Sequence, residues 1–200
     1  MERTASEPHR IAVLSSGISR GSNLQAIHSY LQAHEQRVQI ALAVFTRKAS
    51  PAFAQAQSLG ICTALIAAKD MAVFEAKLLE LIQLNSIELL ALAGFMKCLS
   101  AGFITNASIP ILNIHPALLP KFGGKGMFGM AVHEAVYAAG ERVSGATIHL
   151  VNPQYDKGAI LAQKVVNISI CKNPAEIAKV VLKAEHELYA PTICKVLLNN

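Results

Sequence analysis

Asn113 and His115 sit two residues apart in Asn113-Ile114-His115-Pro116, at the end of the aliphatic run Ile109 to Ile114. Strand periodicity sends both side chains to one face. A run that ends this way delivers them to the carboxyl edge of a buried strand, where open α/β sheets bind their ligands. An amide donor beside an imidazole suits a reaction in which a carbonyl oxygen becomes an oxyanion while protons move near neutral pH. A hydrogen-bonded core histidine beside a strand-end amide has the same local sequence, so the pair alone leaves both readings open. Asp156, in Gln154-Tyr155-Asp156-Lys157-Gly158, adds a carboxylate in a turn between the apolar runs Gly145 to Val151 and Ala159 to Ile168. By itself it is ordinary turn chemistry.

A second candidate is Ser16-Gly17-Ile18-Ser19-Arg20-Gly21-Ser22-Asn23-Leu24, where a first strand hands the chain to a first helix. Free N–H groups at that helix N-terminus, glycines that allow close approach, and the side chains of Ser22 and Asn23 would suit a phosphate. The segment has neither G-K-[ST] nor G-x-G-x-x-G, and an ordinary turn with a Ser or Asx cap fits it equally. Other patterns point nowhere. His133-Glu134 continues as Ala-Val-Tyr, which breaks H-E-x-x-H and leaves a helix surface or packing position. His149 lies on an expected strand and reads as packed. No serine has a G-x-S-x-G frame. Cys62, Cys98, Cys171 and Cys194 form no C-x-x-C pair, so no metal site is expected.

The elements that must position these residues follow from hydrophobic period. Ile11 to Leu14, Val38 to Phe45, Ile61 to Ile66, Ile87 to Ala93 and Ile109 to Ile114 have strand character. They alternate with helical stretches at Ser22 to Leu31, Pro51 to Leu59 and Met71 to Leu84. Such alternation predicts a parallel sheet with helices on both faces. Then the rhythm changes: a Pro-, Gly- and Lys-rich loop from His115 to Met127, a helix at about Gly129 to Ala139, and two strand-like runs joined by Asn152 to Gly158. An amphipathic helix from Pro174 to Leu197 closes the chain. No repeat or linker interrupts it, so residues 11–200 are expected to form one α/β domain behind an irregular or disordered 1–10.

Composition bounds the partners. Of 200 residues 52% are apolar, which excludes disorder, and only 16% are charged against roughly 25% in an average domain. The longest uncharged aliphatic stretch, Leu89 to Met96 between Glu88 and Lys97, is far shorter than the about 20 residues a membrane span needs, and reads instead as the central strand. A net charge of +5 admits anionic partners, but the basic residues are scattered and aromatics are 6% with no Trp, so no nucleic-acid surface is expected. The polar start MERTASEPHR lacks the core of a signal peptide, and a cytoplasmic protein with reduced thiols is expected.

Taken together, these segments are recognisable. Gly21-Ser22-Asn23-Leu24-Gln25-Ala26-Ile27, Leu92-Ala93-Gly94-Phe95-Met96, Leu112-Asn113-Ile114-His115-Pro116-Ala117-Leu118-Leu119-Pro120, and Gly145-Ala146-Thr147-Ile148-His149 leading to Asp156 occur in one order with a closing Ala184-Glu185-His186. In these, the chain resembles the phosphoribosylglycinamide formyltransferases, folate-dependent formyltransferases of purine synthesis. The resemblance implies a Rossmann-like formyltransferase fold with a mostly parallel central sheet. It implies Asn113, His115 and Asp156 as the catalytic set, and Gly21, Ser22 and Asn23 as the seat of the ribonucleotide phosphate, with Glu185 on the ribose. It further implies 10-formyltetrahydrofolate as co-substrate against Leu92, Phe95, Met96, Lys97, Cys98 and Leu99. The glycyl amine would attack the formyl carbon, and Asn113 and protonated His115 would stabilise the oxyanion. Asp156 would orient and charge His115 and assist proton transfer to the departing folate nitrogen. Neither a metal nor a covalent intermediate is required, and a monomer or homodimer is expected.

Four departures stand out. Ile18-Ser19-Arg20 lengthens the phosphate loop by two residues, and Lys97 replaces a usual Arg, keeping charge without a bidentate fork. Met71 replaces an Arg on the side of the folate glutamate tail. Phe122 to Gly129 is a long glycine-rich loop, a mobile flap or a static variant. Two other readings remain: hydrolysis of 10-formyltetrahydrofolate, with no use for the phosphate loop, and non-catalytic binding of folate or nucleotide. Hydrolases of this type usually carry an N-terminal regulatory domain, and transfer-RNA formyltransferases a C-terminal one. Only about ten residues precede the first strand and the sequence stops at Asn200, so neither is expected.

Overall fold

Strands and helices alternate as their apolar periods require through residues 7–17, 20–47 and 50–199, the part of the chain described by a computed structural model. The order is β1 (His9–Ser15), α1 (Ser22–His34), β2 (Val38–Phe45), α2 (Pro51–Ser58), β3 (Thr63–Leu65), α3 (Met71–Leu84), β4 (Leu89–Leu92) and α4 (Ala101–Ala107). Then come β5 (Ile111–His115), α5 (Met130–Ala138), β6 (Val143–Leu150), β7 (Ile160–Asn167) and α6 (Pro174–Leu198). The strands form one sheet in the order β3-β2-β1-β4-β5-β6-β7. Pairing is parallel from β3 through β5, and β6 runs antiparallel to both β5 and β7. The chain winds outward from β1 to β3, then returns to β4 beside β1. That reversal leaves a crevice at the carboxyl ends of β1 and β4.

Period two along the strands divides the core into two layers. Ile11 and Val13 of β1 pack with Leu24, Ile27 and Leu31 of α1 and with Tyr189 and Ile193 of α6. Ala12 and Leu14 point the other way, to Phe74, Leu78 and Ile82 of α3 and Phe103 of α4. A sheet covered on both faces needs near-continuous aliphatic strands, which accounts for the low charge of the sequence. Tyr189 adds a polar tie: its buried hydroxyl lies 3.0 Å from the carbonyl oxygens of both Leu92, at the end of β4, and Leu112, near the start of β5. No helix among the described residues is long and apolar enough to cross a membrane.

Three local expectations change. The first strand opens at His9 rather than Ile11, because His9 pairs with Val38 and Arg10 N–H donates to the Glu88 carboxylate at 3.0 Å; residues 1–6 lie outside the described residues. The central strand stops at Leu92 instead of running to Met96. Gly94 turns the backbone at φ 77, and residues 93–99 become a loop at the mouth of the crevice. Helix α4 had no signal, being only seven residues with Gly102 inside; Ser100 caps it through Phe103 N–H at 3.1 Å.

Candidate functional site

The crevice holds a cavity of about 520 Å³. Asn113 and His115 reach it from the end of β5, and Asp156 from the turn after β6. Gly21, Ser22, Asn23 and Glu185 line one part of it; Leu92, Phe95, Met96, Lys97, Cys98 and Leu99 line another. The expected catalytic, phosphate- and ribose-binding and folate-binding residues therefore all open on a single space, although Gly21 and Asp156 are 135 residues apart in the chain.

His115 is 3% exposed and lies between two oxygens. Its Nε2 is 2.8 Å from the Phe122 carbonyl, and its Nδ1 is 3.6 Å from Asp156 Oδ2. A carbonyl can only accept, so Nε2 carries the proton and Nδ1 faces the carboxylate. Asp156 has φ +54, a left-handed conformation that aspartate tolerates better than most side chains. Its Oδ2 accepts the Gly124 N–H at 2.8 Å. Gly123 lets the loop pass this close, since a Cβ there would lie 2.5 Å from the Leu119 side chain and 3.2 Å from Asp156 Cβ.

Burial pushes the His115 imidazole below the ordinary histidine range, against the pull of the Asp156 charge and the Phe122 carbonyl. The ring is neutral at neutral pH in this state, where the sequence reading had Asp156 charging it. For Asp156 the balance goes the other way. Burial acts to raise its carboxyl, but His149, the Gly124 N–H and His115 together hold it below the usual carboxylate range.

At the α1 end, Gly21 is the N-cap, with φ 81 and no side-chain cap, so the Ser or Asx cap that the segment equally allowed is absent. Helices α2, α3, α4 and α6 have their first N–H groups bound by Ser50, Asp70, Ser100 and Asn173. The first turn of α1, by contrast, opens on the cavity without one, an arrangement that suits an anion. Helix α2 buttresses this turn: with its amide turned nitrogen-inward, the orientation the two carbonyls require, Gln55 donates to Arg20 and Gly21 at 3.0 and 3.1 Å. A Cβ on Gly21 would come within 3.0 Å of Ala52 Cα. Arg20 is exposed, and Ile18 and Ser19 of the lengthened loop lie outside the described residues. Asn23 Nδ2 donates to Glu185 Oε2 at 2.7 Å, while buried Asn23 Oδ1 has no partner. Burial lifts the Glu185 carboxyl to about 7, opposed by the Asn23 hydrogen bond.

The third wall is apolar. Phe95 stacks on Phe74 at 5.5 Å, and the Cys98 thiol lies 3.4 Å from the Pro153 carbonyl, joining this wall to the Asp156 turn. The Lys97 ammonium donates to the Ala68 carbonyl. Gly124 to Gly129 and His133 complete the lining. His133 is buried, not a surface position; burial and then the nearby His115 lower it to about 4. Among the described residues no group of three or more His, Cys, Asp or Glu could hold a metal ion.

One site residue escaped the sequence reading. His149, taken there as packed, is the direct cross-strand partner of Asn113, with Nε2 3.1 Å from Asn113 Nδ2 and 3.5 Å from Asp156 Oδ1. An antiparallel pairing of the two runs in the right register was the signal that would have found it.

The arrangement suits chemistry at a carbonyl: an amide donor, a histidine and an ionised carboxylate beside an apolar wall, with an open helix N-terminus in the same cavity. Comparison with known proteins agrees. The formyl transferase family model matches residues 9–193. The chain is 36% identical over 199 residues to the chloroplastic phosphoribosylglycinamide formyltransferase of Arabidopsis thaliana, covering 96% of this chain and 68% of that protein. It is 33% identical over 192 residues to phosphoribosylglycinamide formyltransferase of Bacillus subtilis (strain 168), covering 94% of each. The crystal structure of phosphoribosylglycinamide formyltransferase from Brucella melitensis superposes with a TM-score of 0.86 at 31% identity, covering 96% of this chain and 97% of that one. The chain belongs to the formyl transferase family, among the phosphoribosylglycinamide formyltransferases.

Proposed function

We propose that the chain transfers the formyl group of 10-formyltetrahydrofolate to the glycyl amine of 5′-phosphoribosylglycinamide. The observation that carries this reading is the joint lining of one cavity by the Asn113, His115 and Asp156 group, the uncapped α1 N-terminus and the apolar Leu92 to Leu99 wall. Only a reaction between an anionic ligand and an apolar-bodied one uses all three. In the reaction the N-terminus of α1 takes the phosphate and Glu185 the ribose, while the pterin lies along Leu92 to Leu99. Binding both in one cavity brings amine and formyl carbon into contact, the entropic part of the acceleration.

The amine attacks, and the formyl oxygen takes the charge. Asn113 donates to that oxyanion. A proton must then leave the amine and reach the folate nitrogen as the carbon–nitrogen bond to folate breaks. A neutral His115, held so by burial, can accept that proton only at its unprotonated Nδ1 and give its Nε2 proton to the folate nitrogen, and Asp156 stabilises the imidazolium formed between the two steps. The Nε2–H that donates to Phe122 serves the substrate once the Phe122 to Gly129 loop yields that contact. Incubation with the ribonucleotide and a folate labelled with ¹³C in its formyl group tests the chemistry. Label is expected in a formamide on the glycyl nitrogen; label in free formate alone would mean hydrolysis.

A further inference from the structure

We propose that His149 is a positioning residue that sets which end of the Asn113 amide faces the substrate. The β5·β6 register places the two residues directly opposite each other, and both line the cavity. His149 is 3% exposed, so its ring nitrogens are served only by what the protein and a ligand provide. Its Nδ1 lies 2.9 Å from the Leu150 carbonyl oxygen. That oxygen has no proton to give, so Nδ1 is the donor and the neutral ring is the Nδ1–H tautomer. Nε2 is then a lone pair, and 3.1 Å away it meets Asn113 Nδ2. The result is a directed chain: Asn113 N–H to His149 Nε2, and His149 Nδ1–H to the Leu150 carbonyl.

This chain decides a question Asn113 cannot settle alone. An amide side chain has a donor end and an acceptor end of nearly equal shape, and only the donor end helps a developing oxyanion. With one N–H bound to His149, the NH2 end is fixed on the β6 side and its second N–H is available to the cavity. A proton on His149 Nε2 would reverse this. It would go to Asp156 Oδ1, 3.5 Å away, or to the Asn113 oxygen, and turn the amide around. The longer Asp156 contact and the shorter Asn113 contact cannot both be served by one tautomer, and the shorter one is taken. This inference rests on the proposed oxyanion role of Asn113, but the tautomer can be measured without it.

The first measurement is ¹⁵N NMR of the histidine rings in the wild-type protein, with the His149 signals assigned by their loss in His149→Gln. A neutral Nδ1–H pattern whose Nε2 resonance moves in Asn113→Ala is expected; an imidazolium or an Nε2–H pattern in the wild type overturns the proposal whatever the kinetics of the variants. The second is kinetic. His149→Leu removes the acceptor and is expected to lower kcat by about 30-fold, with KM for both substrates within about 3-fold. His149→Gln, whose carbonyl can accept from Asn113, is expected to recover most of that loss. In an Asn113→Ala background His149→Leu is expected to cost less than about 3-fold, since residues acting as one unit are not additive. A full 30-fold loss in that background, at unchanged Tm, overturns the relay. Wild-type turnover in Asn113→Ala alone would instead remove the oxyanion role of Asn113, and the NMR result would still decide the tautomer.

Discussion

Asn23 and Glu185 meet across a 2.7 Å hydrogen bond that ties the N-terminal turn of α1 to the middle of α6, 162 residues on. The contact buries a carboxyl to 8% exposure with one donor for two oxygens, and burial dominates, lifting it to about 7 from an ordinary 4.5. Between those values the folded chain holds a proton that the unfolded chain has released. Glu185 thus contributes stability that is fully present below about pH 4.5 and is lost as pH rises through 7. Glu185→Gln cannot titrate. Denaturant unfolding at pH 5 and pH 8 should show the wild type losing more stability than the variant over that interval, by on the order of 2 kcal/mol. Equal losses would mean that the carboxyl is not buried as described.

The turn that carries Asp156 depends on Gly158. A Cβ there would fall 1.6 Å from the Leu150 carbonyl oxygen, in contact with backbone that cannot move without opening the β6·β7 connection. Gly158→Ala should cost about 2–4 kcal/mol of stability and most of the turnover, because the turn must shift Asp156 away from His115. A thermal melt and a rate on the same preparation check both parts; an unchanged Tm would refute the packing argument.

Tyr189 ties β4 to β5 from α6. Tyr189→Phe keeps the ring and removes the hydroxyl that serves the Leu92 and Leu112 carbonyls, so about 1–2 kcal/mol should be lost in denaturant unfolding. A midpoint equal to wild type would mean that those carbonyls find other partners.

The centre of the sheet was legible because its strands had to be aliphatic on both faces and each helix on one, so period alone separates Val38–Phe45 from Met71–Leu84. Asn113 and His115 were legible for a related reason: polar residues ending an aliphatic run stand out. Their partners were not. His149 opposes Asn113 only through the β5·β6 register, across a connection that contains α5, and a sequence does not display register. Glu185 was reached by resemblance, yet it lies at i+4 from Val181 and i−4 from Tyr189, on the buried stripe of α6, and that phase alone marks it as an inward carboxylate. The extent of β4 was missed because its aliphatic run continues past Gly94, whose positive φ ends the strand while Phe95 and Leu99 stay buried in the wall of the cavity.

Asn113→Ala and His115→Ala should each lower kcat by roughly 100-fold, the order expected for loss of an oxyanion donor or a proton-transfer group. Both side chains line the cavity, so binding of the folate should change far less than turnover, as titration of each variant with 10-formyldideazafolate would show. Near-normal rates in both would move the chemistry elsewhere.

The most direct test follows release of deformylated folate from 10-formyldideazafolate by absorbance, with and without 5′-phosphoribosylglycinamide. Release that requires the ribonucleotide, and stops when its amine is acetylated, is the predicted result; equal release in its absence would contradict formyl transfer to that amine.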